Sequence, residues 1–294
     1  MGRPYSVAAS SAVELALVGP ARAATVVAST PHATYLQVTD PDRTLLCLAS
    51  PEAVRVPCAV ILESKAQPPQ LAEGTITTVG GGTVSVGGDG GGGAVFRASR
   101  WWRPPRPRGL GAVPPARLAG AVRWLTGRVA DPLDAPGRAA VADLVESLSG
   151  GNRPDLAVAR LLGRGPGLTP TGDDVLAGAL VTLAALGSPM TALLGQAVLA
   201  AAPDATTTVS AGLLRHAAAG ECIPQLADVL TAVGGTTEPA AGALPRAAGA
   251  LLAVGHCSGA GLLHGVLVAV AIAHARLAQG VLRLAPSPAT SVAA

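Results

Sequence analysis

The sequence predicts an α+β protein, with an N-terminal antiparallel β-sheet or small barrel followed by a mainly α-helical C-terminal part. Before residue 108, short runs rich in Val and Thr alternate with Gly and Pro about every eight to twelve residues, as in small antiparallel sheets. After residue 108, apolar residues recur at helical spacing in one segment after another. Strands that precede helices in this way indicate two segregated parts. We therefore predict a β-rich domain at 1–108 and a helical domain at 109–294.

Six segments of the first part are predicted to form strands. A Pro-His turn separates the first two, and the fifth reads as a hairpin that turns near Gly80–Gly82. The glycine stretch 87–93 is predicted to be a loop and not a phosphate cradle, because no helix follows it. The prolines of RASRWWRPPRPR, residues 97–108, suit a domain linker better than a nucleic-acid site. The predicted strands are ATVVAST, ATYLQVT, RTLLCLAS, AVRVPCAVIL, GTITTVGGGTVSVGG and GAVFRAS.

The helical part begins with PPARLAGAVRWLTGRVA, where a proline precedes apolar residues at helical spacing: Leu118, Val122, Leu125 and Val129. A further helix is predicted to start at Thr169-Pro170 and to end near Gly187. The tail after Pro286 is predicted to be loose. The other predicted helices span 137–150, 152–163, 190–202, 205–220, 222–234, 243–255 and 258–280.

The composition indicates a core of Ala, Val and Leu, because 49% of residues are hydrophobic but only 2% are aromatic. Charged residues make up 13%, so either a partner covers part of the surface or Ala and Gly are tolerated there. The net charge of +3 includes no long basic run, and we expect no nucleic-acid partner. The four irregularly spaced cysteines signal neither a zinc site nor a disulfide framework and fit a reduced cytosol.

The chain is predicted to be cytoplasmic and not to bind a membrane. Glu14 interrupts the apolar part of the N-terminus, which argues against a signal peptide. The most apolar region lies at 247–273. Its longest clean segment, GVLVAVAIA, is too short to span a bilayer and is interpreted as part of a buried helix.

The stretch GRGPGLTPTGDDVLAG, residues 163–178, is the strongest candidate for a functional site. Thr169 is predicted to cap a helix with Pro170 at its first position, although the cap could lie nearer Asp173. The helix dipole favours acids in these first turns. Capping leaves GRGPG and the second aspartate unexplained. A glycine-rich loop before a helix is a common anion-site design, yet this one lacks the GK[ST] ending of a Walker loop.

The two adjacent aspartates restrict what such a site could bind. Two carboxylates would repel a bare phosphate. They suit a cation-bridged phosphate, or the N–H groups of an amide, carbamoyl or ureido substrate. The alternative interpretation, a well-capped buried helix without a ligand, stays open at this point.

Two later segments could contribute to the same site. In TTTVSAGLLRHAAAG, Ser210 lies on a helical face with Thr207, Leu214 and Ala217, where its hydroxyl either bonds the preceding turn or lines a pocket. In GHCSGAGLLHG, Ser258 is predicted to cap an apolar helix. His264 is a candidate base or ligand there, although a single histidine among Leu and Gly is more often a core residue. No Ser-His-Asp order or metal-spaced His pair is present.

These segments resemble the AllH family. The first matches the signature G-x-G-x-GLTP-x-GDD-x-L-x-G, and TTTVSAGLLRHAAAGECIPQLADVL and GHCSGAGLLHG resemble the two downstream blocks. The segment Trp101–Pro104 resembles the join between the family's halves, so the resemblance covers roughly residues 20–280. It implies a subunit of bacterial oxamate carbamoyltransferase, which moves a carbamoyl group between oxalurate and phosphate in allantoin breakdown. It also implies FdrA-type and AllG-type partner subunits, the former similar to the α subunit of succinyl-CoA synthetase.

The resemblance implies the site residues position by position. Asp173 and Asp174 would orient carbamoyl or ureido N–H groups or hold Mg²⁺. One departure is that an acidic residue often follows the family's Ser-Gly pair by about two positions, where this chain has Ala260 and Gly261. The implied catalytic residues are Asp173, Asp174 and Ser258, and the implied substrate- or phosphate-binding residues are Gly165, Gly167, Thr169, Gly172, Ser210 and Gly259.

Two other functions stay open from the sequence. The chain could be a non-catalytic subunit that binds a small anion and completes a partner's active site. It could also be a stand-alone enzyme of another reaction class, such as an amidohydrolase.

Overall fold

The computed structural model describes residues 4–63, 66–87, 93–235 and 242–279. Its chain forms two compact units, and short later segments return to the first: Met1–Pro105, Thr206–His216 and Glu221–Pro224. The second unit comprises Arg106–Ala205, Ala217–Gly220 and Gln225–Ala294. The predicted division into domains after residue 108 stays a prediction. The tail after Pro286 and most of the glycine stretch at 87–93 lie outside the described residues.

The first unit is a closed barrel of eight strands in the order β1-β5-β4-β3-β2-β6-β7-β8. A 3-10 turn (Ser11–Val13) and helix α1 (Glu14–Val18) follow the first strand. Alternating burial along β2 and β7 shows one strand face turned to the core, as the Val/Thr pattern predicts. The strands are β1 (Tyr5–Ser10), β2 (Arg22–Thr30), β3 (Ala33–Val38), β4 (Leu45–Ala49), β5 (Ala59–Leu62), β6 (Ile76–Gly80), β7 (Thr83–Val86) and β8 (Ala94–Trp102).

The barrel confirms the predicted fold class, with two corrections to its details. Its pairing is mixed, because β1 pairs with β8 and β4 with β5 in parallel. The linker prediction was wrong for Trp101 and Trp102, which end β8 opposite Ala9 and Ser10 of β1. The hairpin turn at Gly80–Gly82 is confirmed, since Gly80 pairs with Thr83.

The second unit contains the helices α2 (Pro115–Thr126), α3 (Ala135–Ser149), α4 (Asp155–Leu161), α5 (Thr171–Ala185), α6 (Met190–Ala205), α8 (Pro224–Gly234), α9 (Ala243–Leu252) and α10 (Ser258–Ala278). Helix α7 (Thr208–Ala218) belongs mostly to the first unit. All of these agree with predicted helical segments. Val129, predicted on the face of α2, lies beyond its end because Gly127 already caps the helix.

Helices α5 and α10 form the most extensive helix contact, and glycines make it possible. A Cβ at Gly178 would lie 2.1 Å from the Leu262 carbonyl oxygen, and one at Gly265 would lie 2.2 Å from that of Val175. Both distances are far below contact distance, so only glycine fits. The two backbones therefore touch, and this contact fixes the relative position of the two helix N-termini.

Helix α10 extends well beyond GVLVAVAIA, the apolar segment that is by itself too short to span a bilayer. At 21 residues the helix is long and apolar enough to cross a membrane by length and composition alone, and 56% of its most apolar window is buried in the protein. A core helix has the same properties. Its glycine contacts with α5 fit that role.

Candidate functional site

The N-termini of α5 and α10, which carry the sequences GDD and SGAG, lie next to each other. Gly261 lies against Asp174, since a Cβ at Gly261 would be 2.7 Å from the Asp174 Cβ and 3.1 Å from the Thr171 carbonyl oxygen. Two helix N-termini side by side present the positive ends of two helix dipoles. The arrangement is therefore one that favours an anion.

The hydroxyls of Thr169 and Ser258 join the two N-termini by a hydrogen bond of 2.9 Å between Oγ1 and Oγ. Both residues are half-buried. The structure corrects both capping predictions: α5 has Pro170 as its N-cap and α10 has Cys257, and neither end has a side-chain cap. Each hydroxyl bonds the other helix's residue instead of its own backbone, so the pair is placed where a ligand could meet it.

Asp173 holds the glycine loop. Its Oδ1 accepts a hydrogen bond of 2.8 Å from the Gly163 backbone N–H, and the Gly172 N–H donates to the Arg164 carbonyl at 2.8 Å. The Arg164 guanidinium in turn lies 3.3 Å from Asp134, between Nε and Oδ1. Asp173 is buried, so this contact explains one of the two aspartates structurally.

Asp174 is the group that the fold leaves available. The residue is 7% exposed, and its Oδ2 is buried without a hydrogen-bond partner. Burial raises the pKa of Asp174 to about 8, the hydroxyls of Ser258 and Thr169 oppose the rise, and the charge of Asp173 adds to it. A helix N-terminus lowers a carboxyl pKa by the equivalent of at most about 2 kcal/mol, so desolvation prevails. The protonated form of this carboxyl is therefore favoured far more than in an exposed aspartate.

The glycines predicted to bind substrate have two different roles. Gly165 and Gly167 have φ values of +113° and +92°, which give the loop its course and are rarely adopted by other residues. Gly172 and Gly259 are contact points: a Cβ there would lie 2.0 Å from the Leu161 and 1.9 Å from the Leu251 carbonyl oxygen. These two glycines are therefore explained by close backbone packing around the site.

The two remaining candidates lie outside the Thr169–Asp174–Ser258 cluster. Ser210 is buried on α7 in the first unit, where its backbone N–H donates to Thr207 Oγ1 at 3.0 Å. His264 lies on α10, with Nδ1 4.0 Å from Asp131 Oδ1. Burial lowers the pKa of His264 and outweighs the opposing charge of Asp131, so the imidazole is neutral at pH 7.

The aspartate pair does not fit the Mg²⁺ site considered from the sequence. Mg²⁺ prefers several oxygen ligands, whereas Asp173 already directs Oδ1 to the Gly163 backbone N–H. Within the described ranges, no group of three or more His, Cys, Asp and Glu side chains could hold a metal ion.

Sequence reasoning missed two residues of the site. Gly261 stands where the family often has an acid nearby, and its contact with Asp174 leaves no room for any side chain. Cys257 accepts a hydrogen bond from the Thr171 hydroxyl at 3.4 Å. The helical spacing of Gly261 from Gly265, one turn apart, was the available signal for the first.

Fold and site together define a two-unit α+β protein whose helical unit places a buried carboxyl and two hydroxyls at paired helix N-termini. Residues 161–270 match the family AllH, described as oxamate carbamoyltransferase subunit AllH. This match confirms the resemblance over residues 161–270, which include every site residue from Gly165 to His264, and the resemblance of residues 20–160 stays a prediction. A subunit designation implies a complex of several chains. No curated protein and no solved structure matches the chain.

Proposed function

We propose that this protein is a subunit of an oxamate carbamoyltransferase-like complex, which transfers a carbamoyl group between oxalurate, or a related ureido acid, and phosphate. The observation that carries the proposal is the meeting of Thr169, Asp174 and Ser258 at two helix N-termini inside the segment that matches the AllH family. The complex would contain FdrA-type and AllG-type subunits and act in the cytoplasm, in nitrogen catabolism from purines through allantoin.

The reaction needs an anion site beside a proton-carrying group. A phosphate oxygen attacks the carbamoyl carbon of oxalurate, and the bond from that carbon to the oxamate nitrogen breaks. The nitrogen gains one proton and hydrogen phosphate loses one, so oxalurate and hydrogen phosphate become oxamate and carbamoyl phosphate. Catalysis of this kind depends mainly on positioning and on stabilising charge.

The residues take distinct roles in this proposal. The hydroxyls of Thr169 and Ser258 and the two helix N-termini contact the reacting oxyanion, and Asp174 lies beside it. Asp173 is a positioning residue, because its carboxylate holds the loop through Gly163. Ser210 stays a prediction, as a residue of the first unit.

The test is carbamoyl phosphate formation from oxalurate and phosphate, by this chain alone and with FdrA-type and AllG-type subunits. We expect activity only in the complex, and a loss of about a hundredfold in Asp174→Ala, as when a transition-state contact is removed. Asp228→Asn, which changes an exposed aspartate of α8, should match the unchanged chain.

Two results would contradict the proposal. No carbamoyl phosphate in any combination would exclude oxalurate as the substrate. Full activity of the complex with Asp174→Ala would favour the non-catalytic anion-binding subunit, in which a partner supplies the chemistry.

A further inference from the structure

The buried Asp174 oxygen is an unusual feature for a helix start. A buried polar atom without a partner costs about 1–3 kcal/mol, so proteins rarely keep one that has no use. Oδ2 of Asp174 is such an atom, and only 7% of the residue's surface is exposed. Thr169 and Ser258 are half-buried, and their hydroxyls lie beside this carboxyl. The unused hydrogen-bonding capacity therefore points towards a ligand.

The surroundings of this oxygen suit an oxyanion. Neither α5 nor α10 has a side-chain cap, and the first turn of α10 carries no acidic side chain, whereas that of α5 carries Asp173 and Asp174. The Thr169 and Ser258 hydroxyls can each turn a proton towards a ligand oxygen when their mutual bond opens. A negative charge on Asp174 would weaken the binding of an oxyanion at this position.

We propose that Thr169, Asp174 and Ser258 form a subsite for a tetrahedral dianion, and that Asp174 enters it as a neutral carboxylic acid that donates a hydrogen bond to the ligand. In the carbamoyl transfer this ligand is phosphate, so the inference deepens the proposed function and rests on it for the identity of the anion. It also removes the objection that two adjacent aspartates repel a bare phosphate. A protonated Asp174 donates to the anion instead of repelling it, and the charge that remains on Asp173 is directed at the Gly163 N–H through Oδ1.

The charged groups around Asp174 allow this state. Asp173, on the same helix, raises the pKa of Asp174, as does burial. Cys257, the N-cap of α10, accepts a hydrogen bond from the Thr171 hydroxyl. On α10 itself, His264 is neutral because burial lowers its pKa. Arg164, on the loop before α5, is directed at Asp134. Because Cys257 also contacts this region, a variant separates its contribution from that of Asp174.

Sulfate is the decisive probe, because it resembles phosphate but stays a dianion throughout the range used. Its affinity for the full-length chain is measured by calorimetry at pH 6.5 and pH 9.5. With a carboxyl pKa of about 8, the competent protonated fraction at pH 9.5 is about one in thirty, so affinity should fall about thirtyfold. Asp174→Asn keeps a donor that cannot ionise and should bind equally at both pH values. Asp174→Ala should bind weakly at both.

Controls separate this from other causes. Asp228→Asn, which changes an exposed aspartate outside the site, should keep the full pH dependence of the unchanged chain. Cys257→Ser removes the thiol beside Thr171, and a pH dependence that persists in it assigns the effect to Asp174, whereas its loss would contradict that assignment. Circular dichroism and thermal unfolding identify a variant that has failed to fold. If Asp174→Ala fails to fold, the isosteric Asp174→Asn still provides the test.

Sulfate affinity that does not change with pH, or its loss in Asp174→Asn, would overturn the proposal, as would the absence of sulfate and phosphate binding at every pH. These results are distinct from failure of the proposed function. A complex that makes carbamoyl phosphate but binds sulfate independently of Asp174 keeps the function and refutes this subsite. A chain that binds sulfate as expected but never turns over oxalurate keeps the subsite and refutes that substrate.

Discussion

The barrel and the helical unit treat buried polar side chains in opposite ways. In the barrel, Thr34 donates to the Pro69 carbonyl at 2.8 Å and Thr77 to that of Ala24 at 3.0 Å. Among the described residues, every buried side-chain polar atom without a hydrogen-bond partner belongs to the helical unit: Ser149 Oγ, Arg164 Nε, Asp174 Oδ2, Gln225 Oε1 and Arg276 Nε. The barrel uses these threonines to hold strands and loops, whereas the helical unit leaves some buried polar atoms without a hydrogen bond.

The reason lies in backbone geometry. In a sheet, a threonine beside a strand carbonyl finds an acceptor locally, as Thr77 does on β6. A buried threonine on a helix can bond the carbonyl one turn earlier, as Thr182 does with Gly178 at 2.7 Å, but the backbone N–H groups inside a helix are already used, so a buried carboxyl depends on a donor from elsewhere. Glycine contacts bring α10 close enough to α5 to bury Asp174 but supply no partner for Oδ2. The predictions below test each part of this contrast.

The largest expected effect is on the glycine contact itself. Gly265→Val places side-chain atoms where even a Cβ would be 2.2 Å from the Val175 carbonyl, so the helices must separate. We expect the free energy of unfolding in urea to fall by more than about 3 kcal/mol. Gly249→Ala on α9 is the matched control, since nothing lies within 4 Å of its Cβ position. It should be neutral or stabilising by up to about 1 kcal/mol. Equal effects of the two changes would refute close packing as the cause.

A second effect, of a few kcal/mol, is expected from Asp174→Asn at alkaline pH, since raising the pKa of a carboxyl from about 4 to about 8 corresponds to at most about 6 kcal/mol. Because the folded-state pKa of Asp174 is raised to about 8, the folded chain holds this proton more tightly than the unfolded chain. The group's contribution to stability is complete below about pH 4 and is lost as pH rises to about 8. Asparagine does not titrate, so the free energy of unfolding of the variant in urea should rise relative to that of the unchanged chain as the pH increases over this range. A constant difference between pH 4 and pH 9 would show that Asp174 is ionised when folded.

Much of this fold could be predicted from the sequence, because the spacing of apolar residues within a short segment distinguishes a strand from a helix. Strand β1 was missed: YSVAAS is short and rich in Ala and Ser, and its place in the barrel depends on parallel pairing with β8 about ninety residues later. For the site, the motif identified Thr169 and Asp174. It did not reveal that Asp173 is occupied by Gly163 or that Thr169 bonds Ser258, because both contacts depend on how the chain folds back.

The smallest expected effect concerns the satisfied polar groups of the barrel. Thr77→Val keeps the shape of a buried residue but removes its hydrogen bond to the Ala24 carbonyl, so we expect a loss of about 1 kcal/mol in the free energy of unfolding. Thr78→Val, on the exposed face of the same strand, should change little. Because Thr77 does not ionise, its effect should be the same at pH 5 and pH 9, unlike that of Asp174→Asn. A Thr77→Val variant as stable as Thr78→Val would mean that the barrel hydrogen bond adds no stability, and the contrast between the two units would then rest on the helical unit alone.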